Sequence, residues 1–180
     1  MISDEVTELQ KRFYQTHNYL DNRKKERVLV LGIGNYLMGD EGVGVHVIHS
    51  LGRTELPGYV DILDGGTGSF DLMPILAQYP TAIIVDATMD GKPPGAVTVL
   101  YPKFSSDFPT VLSVHDVGLK DMIDALEFKN ELPEITLITV SVAKVQPMSV
   151  RLSDPVEKSI SHVVRILKDK LAGMKPETEH

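Results

Sequence analysis

Residues 28–44, with the sequence VLVLGIGNYLMGDEGVG, decide the fold of this chain. The first six of them are an apolar run, which is typical of a β-strand that is buried on both faces of a sheet. A glycine-rich turn follows, and Asp40 is placed there to cap a helix that we expect to extend to about Arg53. A buried strand joined to a helix by a short turn is the repeating unit of α/β proteins.

The same alternation of strand and helix continues along the chain. The last helix is predicted to have Asp154 as its N-cap and Pro155 in its first turn. Apolar runs predict four more strands, at residues 59–63, 82–85, 96–100 and 135–142. The predicted fold class is therefore α/β: a three-layer αβα arrangement with a mostly parallel five-stranded sheet and helices on both faces.

The pattern divides the chain into three parts. Residues 27–172 are predicted to form a single α/β domain, because no repeat or linker interrupts them. Residues 1–26 are predicted to be an N-terminal extension, in which apolar residues recur at the spacing of a short amphipathic helix. Residues 173–180 are expected to be a flexible tail.

The composition argues against several classes of protein. The 180 residues include 18 Lys and Arg against 25 Asp and Glu, a formal net charge of −7, so no nucleic-acid partner is expected. The chain has no cysteine, which excludes disulfides, thiolate zinc sites and a cysteine nucleophile. Any metal must then be held by histidine and carboxylate side chains. Without a secretory signal or a run of ~20 apolar residues, the chain is expected to be cytoplasmic and not inserted in a membrane.

The glycine-rich turn resembles a dinucleotide-binding loop only in part. Gly32 and Gly34 match the beginning of that fingerprint, but Leu37 stands where its third glycine is needed. Asp40 and Glu41 stand side by side where a pyrophosphate would bind, and their charges would repel it. A nucleotide-binding enzyme is therefore a poor interpretation of this turn.

Three carboxylates stand where predicted strands end. Glu41 follows the first strand, Asp64 closes the second and Asp86 closes the third, at the edge of the sheet where α/β proteins bind ligands. His115 stands at the start of a predicted helix in another loop. Two carboxylates and one imidazole suit a divalent metal such as Ni²⁺ or Zn²⁺ and leave coordination positions open. The other histidines are expected to be surface, packing or chain-end residues: His17, His46, His49, His162 and His180.

Four motifs, taken in order, resemble those of the [NiFe]-hydrogenase maturation endopeptidases. The similarity covers nearly all of residues 27–172, and Gln146-Pro147 stands where the family usually has Glu-Pro. The motifs that carry the resemblance are LGIGNYLMGDEGVG up to Gly44, DGGT at 64–67, IVDA at 84–87 and SVHDVGL at 113–119.

The resemblance implies an endopeptidase, of aspartic or metal-assisted type, that removes a C-terminal extension from the hydrogenase large-subunit precursor after nickel insertion. It implies that Glu41, Asp86 and His115 contact the metal. The metal is then Ni²⁺ supplied by the substrate, with another divalent metal able to occupy the site in isolated protein. A monomer is expected.

Two questions stay open at this point. Asp40 and Asp64 are both candidates for the catalytic base, and for each of them a capping or turn-forming role is the alternative. The alternative function is a nickel-site checkpoint or chaperone that binds the precursor without cleaving it.

Overall fold

The computed structural model describes residues 27–68, 70–109, 117–146 and 148–174, and the predicted N-terminal helix lies outside them. A five-stranded sheet has the strand order β2-β1-β3-β5-β4. β1, β2, β3 and β5 are parallel, while β4 pairs with β5 in the antiparallel direction at one edge. The prediction of a mostly parallel five-stranded sheet is confirmed. The strands are β1 (Val28–Ile33), β2 (Val60–Gly66), β3 (Thr81–Thr88), β4 (Val97–Leu100) and β5 (Glu134–Ser141).

Helices cover both faces of this sheet, as predicted. One core contains Val28 and Val30 of β1 with the apolar residues of α1 and α4. The other contains Leu29 and Leu31 of the same strand with the apolar residues of α2 and α3. Successive side chains of a strand point to opposite faces, so the apolar run of β1 fills both cores. The helices are α1 (Val43–Leu51), α2 (Met73–Leu76), α3 (Val117–Phe128) and α4 (Asp154–Gly173).

Two strands extend further than the sequence predicts. β2 continues to Gly66 and β3 continues to Thr88, so Asp64 and Asp86 lie inside strands and not just after them. The reason is pairing: Asp64 is level with Gly32 of β1, and Asp86 is level with Thr139 of β5. Each neighbouring strand supplies hydrogen-bond partners that hold the polar residue in extended conformation.

The starts of two helices also differ from the prediction. α1 is preceded by a 3₁₀ turn, Gly39–Gly42, and its N-cap is Gly42, so the prediction that Asp40 caps it is wrong. α4 has Ser153 as its N-cap in place of Asp154, and the Ser153 hydroxyl makes no capping bond. That hydroxyl donates to the Asp40 carboxylate at 2.8 Å, so these two side chains bind each other and neither caps a helix.

Gly44 lets α1 pack closely against the sheet. A Cβ atom at this position would collide with the carbonyl oxygens of Ile33 and Val85. We expect Gly44→Ala to lower the free energy of unfolding by about 1–3 kcal/mol, since backbone must shift to admit the methyl group. Denaturant unfolding measures this. Gly58→Ala is the control, because a Cβ there meets no atom within 4 Å; equal losses in both variants would contradict the packing argument.

Candidate active site

The 3₁₀ turn Gly39–Gly42 carries two adjacent acids into the protein interior. Asp40 and Glu41 are each only 1% exposed, and the turn packs against β3. A carboxylate in such a position requires hydrogen bonds, a cation or a proton to compensate for its lost hydration. Asp40 meets this requirement with hydrogen bonds.

Asp40 joins its turn to the segment that leads into α4. Its Oδ1 accepts a hydrogen bond from the Ser153 backbone N–H at 2.6 Å. Its Oδ2 accepts from the Ser153 hydroxyl at 2.8 Å and from Gln146 Nε2 at 3.0 Å. The Gln146 side-chain oxygen in turn accepts from the Asp40 N–H at 2.9 Å. Both carboxylate oxygens therefore hold two loops together, which favours a structural role for Asp40 over that of a catalytic base.

Gln146 suits this network because its amide both donates to and accepts from Asp40. Gln146→Glu places a second carboxylate about 3 Å from the first, so one of the two has to keep a proton. The pKa of the pair is then raised in the folded state, and its contribution to stability is lost as pH rises through that value. We expect the melting temperature of Gln146→Glu to fall below that of wild type at pH 8 and to approach it at pH 5. A difference that is the same at both pH values would contradict the shared proton.

Asp86 lies at the polar end of the sheet face that α2 and α3 cover. Its side chain is fully buried, and its Oδ1 accepts from the Ala87 N–H at 2.7 Å. Strand alternation puts Ala82 and Ile84 on the same face, where they belong to the apolar core. Towards the carboxyl ends of β3 and β5 this face becomes polar, with the buried side chains Asp86, Thr88, Thr139 and Ser141.

Glu41 and Asp86 come from neighbouring elements at the carboxyl edge of the sheet. Glu41 belongs to the turn that follows β1, and β1 pairs directly with β3, which carries Asp86. α3 ends five residues before β5 begins at the amino edge of the sheet, so its start at Val117, about 18 Å away along the helix, lies towards the carboxyl edge. His115, two positions earlier in the chain, lies outside the described residues. Within the described ranges no three His, Asp or Glu side chains are grouped to hold a metal ion.

Asp64 does not lie beside Asp86. β1 separates β2 from β3, which places the two strands about 10 Å apart. Alternation also points the two side chains to opposite faces, because Val60 and Ile62 of β2 belong to the core on the α1 and α4 side. Asp64 Oδ1 accepts from the Gly66 N–H at 3.0 Å, which is the turn-forming role that the sequence offered as an alternative.

His49 is a polar partner of Asp64 that the sequence analysis missed. Its Nε2 lies 2.8 Å from Asp64 Oδ2, and both side chains are about half exposed. Tyr36 stacks on His46 with ring centroids 4.7 Å apart and also lies 5.8 Å from the ring of His49. The pKa of His46 is lowered by burial of its ring and by nearby His49. Spacing along α1 could not reveal these contacts, since they depend on β2 and the turn after β1.

Comparison with known proteins identifies the family. A family model described as "Hydrogenase maturation protease" matches residues 45–170. The chain belongs to the hydrogenase maturation protease family. The resemblance inferred from the four motifs is thereby confirmed, and the chain is a peptidase of that family.

Curated and solved relatives agree with this assignment. Hydrogenase 2 maturation protease of Escherichia coli K12 is 35% identical over 150 residues, which cover 79% of this chain and 92% of that protein. HupD, a hydrogenase expression/formation protein of Rhizobium leguminosarum, is 34% identical and covers 79% and 74% of the two chains. The solved hydrogenase maturating endopeptidase HybD from E. coli has a TM-score of 0.75 at 34% identity, covering 82% and 93%. None of the described helices of this maturation protease is long and apolar enough to cross a membrane.

Proposed function

We propose that this protease removes the C-terminal extension from a [NiFe]-hydrogenase large-subunit precursor after nickel has been inserted, and that it recognises the nickel in its substrate. The observation that carries the proposal is the pair of buried carboxylates, Glu41 and Asp86, on adjacent elements at the carboxyl edge of the sheet. Two acids that are buried on adjacent elements favour a cation over a neutral or anionic ligand.

The proposed contacts to nickel are Glu41, Asp86 and His115. The start of α3 at this edge supports the third member, because His115 precedes Val117 by two residues. The chain has no thiolate of its own, so soft ligands on the metal are left to the substrate. Oxygen and imidazole ligands can share a borderline metal such as nickel without removing it from thiolates that hold it more tightly.

Hydrolysis itself requires a base and an acid near the scissile bond. Water adds to the peptide carbonyl, the C–N bond breaks, and the proton taken from water passes to the leaving amine. Of the two candidates for this proton transfer, Asp64 is the one with solvent access, and His49 at 2.8 Å orients it. We assign proton transfer to Asp64 and metal contact to Glu41 and Asp86, since Asp64 and Asp86 lie on opposite faces of the sheet.

The decisive experiment compares two forms of the same substrate. Purified protein is incubated with nickel-loaded and nickel-free large-subunit precursor, and the mass of the large subunit is measured by mass spectrometry. We expect cleavage of the loaded form alone. Binding of the loaded form without a change in its mass would favour the checkpoint function instead, and equal cleavage of both forms would rule out recognition of nickel. The protein is also proposed to be cytoplasmic, which suits the absence of cysteine, and to act as a monomer.

A further inference from the structure

The exposed apolar side chains of this protein are not spread evenly over its surface. The loops after β1, β2, β3 and β5 all begin at the carboxyl edge of the sheet. Each of these loops carries at least one large exposed apolar side chain. Among the residues that the structure describes, the large exposed apolar side chains at this edge are Tyr36, Leu37, Phe70, Met89, Met148 and Val150. Large apolar groups concentrated around a site are typical of an interaction surface.

Three of these residues form a continuous rim, which we define as Leu37, Met148 and Val150. They are 56%, 91% and 48% exposed. Met38 and Ser149 form a parallel β-bridge, which places Leu37 next to Met148 and Val150 in space. The rim is thus one surface built from two loops that are far apart in the chain.

Backbone hydrogen bonds hold the rim rigidly in place. The Ser149 N–H donates to the Leu37 carbonyl at 2.9 Å, and the Gly39 N–H donates to the Ser149 carbonyl at 2.7 Å. Met148 has a φ of 59°, a left-handed conformation that is costly for a residue other than glycine. The network around buried Asp40 joins the same two loops from below. A surface that is fixed in advance loses little entropy when it binds a partner.

The position of the rim indicates which partner it binds. Leu37 and Glu41 are four residues apart, so their Cα atoms are at most about 14 Å from each other. A substrate that reaches Glu41 therefore passes next to the rim. Three side chains supply much less than the roughly 800 Å² per partner that a stable dimer buries, but they match the width of an extended peptide.

We propose that the rim of Leu37, Met148 and Val150 is a docking site for an extended apolar segment of the precursor, close in sequence to the bond that is cut. This rests on the proposed function, because it takes the precursor as the substrate. The rim supplies affinity that does not depend on nickel, whereas the carboxylates supply the discrimination between loaded and empty precursor. The substrate class is thereby narrowed to precursors with large apolar side chains beside the cleavage point.

The test separates binding from chemistry in the full-length chain. The double variant Leu37→Ser with Met148→Ser is compared with Phe128→Ser, a matched change at an exposed residue that ends α3 on the other side of the molecule. KM and kcat are measured with nickel-loaded precursor, and Kd is measured with nickel-free precursor. We expect the double variant to raise KM and Kd about tenfold and to leave kcat within about twofold. Phe128→Ser should leave all three unchanged.

A conservative double variant controls for an effect of the substitutions on folding. Leu37→Met with Met148→Leu keeps the rim apolar and should bind like wild type. Unchanged KM and Kd in the serine double variant would overturn the proposal, as would equal weakening by Phe128→Ser or by the conservative pair. Wild-type dimerisation that the serine variant abolishes would assign the rim to a second copy of the chain. If wild type cleaves neither precursor, the proposed function fails, while the Kd values still decide whether the rim binds.

Discussion

Replacing either buried carboxylate by its amide is expected to reduce the rate of precursor processing by at least about a hundredfold. Glu41→Gln and Asp86→Asn change the charge of a side chain without changing its size. An amide carries no negative charge to attract the nickel ion that we propose the substrate brings, so the substrate should be held less well at the site. The rate is measured by mass spectrometry of the nickel-loaded precursor under single-turnover conditions.

The same two variants are expected to keep nearly the stability of wild type. A buried carboxylate is costly to desolvate, and an amide of the same shape is less so. We therefore expect both variants to unfold within about 1 kcal/mol of wild type, with the loss confined to activity. Glu134→Gln is the matched control, since Glu134 is exposed at the start of β5, at the opposite edge of the sheet. Wild-type rates in both variants would show that the site lies elsewhere.

Loss of the Asp40 carboxylate is expected to have the largest effect on stability. Asp40→Ala leaves the Ser153 N–H, the Ser153 hydroxyl and the Gln146 amide without their acceptor in a partly buried position. Each hydrogen bond to a charged group contributes about 1.5–3 kcal/mol, so we expect a loss of at least about 3 kcal/mol in the free energy of unfolding. Equilibrium unfolding in urea measures it.

The control for Asp40 is a carboxylate that has no such role. Asp121 is exposed on α3, and Asp121→Ala should change the free energy of unfolding by less than about 0.5 kcal/mol. If Asp40→Ala were as stable as this control but inactive, Asp40 would be a catalytic residue and not a structural one. The same outcome would contradict the interpretation of its hydrogen bonds given above.

Apolar runs in the sequence are sufficient to predict the sheet, because a short apolar run has few alternatives to a strand that is buried on both faces. The continuous run of β1 predicts that strand at its observed bounds, Val28–Ile33. The ends of β2 and β3 were missed, since their last residues are polar or glycine and are kept extended by neighbours that are distant in sequence. Extent of pairing is a property of the assembled sheet and cannot be read from one strand.

The candidate site, like the sheet, was predictable from the sequence only in part. A carboxylate after β1 and another near the end of β3 predict an acidic edge once the sheet is assumed to be parallel. That the Asp64 side chain points away from Asp86 can be deduced only once the strand order is known. The partners of Asp40 lie 106 and 113 residues away, so no local pattern indicates them. His49 was missed for the same reason, because its partner is on β2.

The reversed direction of β4 has a practical consequence. β4 begins level with Val140 and ends level with Leu137, so the chain after it emerges at the opposite edge of the sheet from the acids. Lys103 is exposed in that loop. Because the natural chain has no cysteine, Lys103→Cys introduces a single thiol. A fluorophore or surface tether attached there leaves the edge that carries the acids free, so encounters with the precursor can be followed by single-molecule observation.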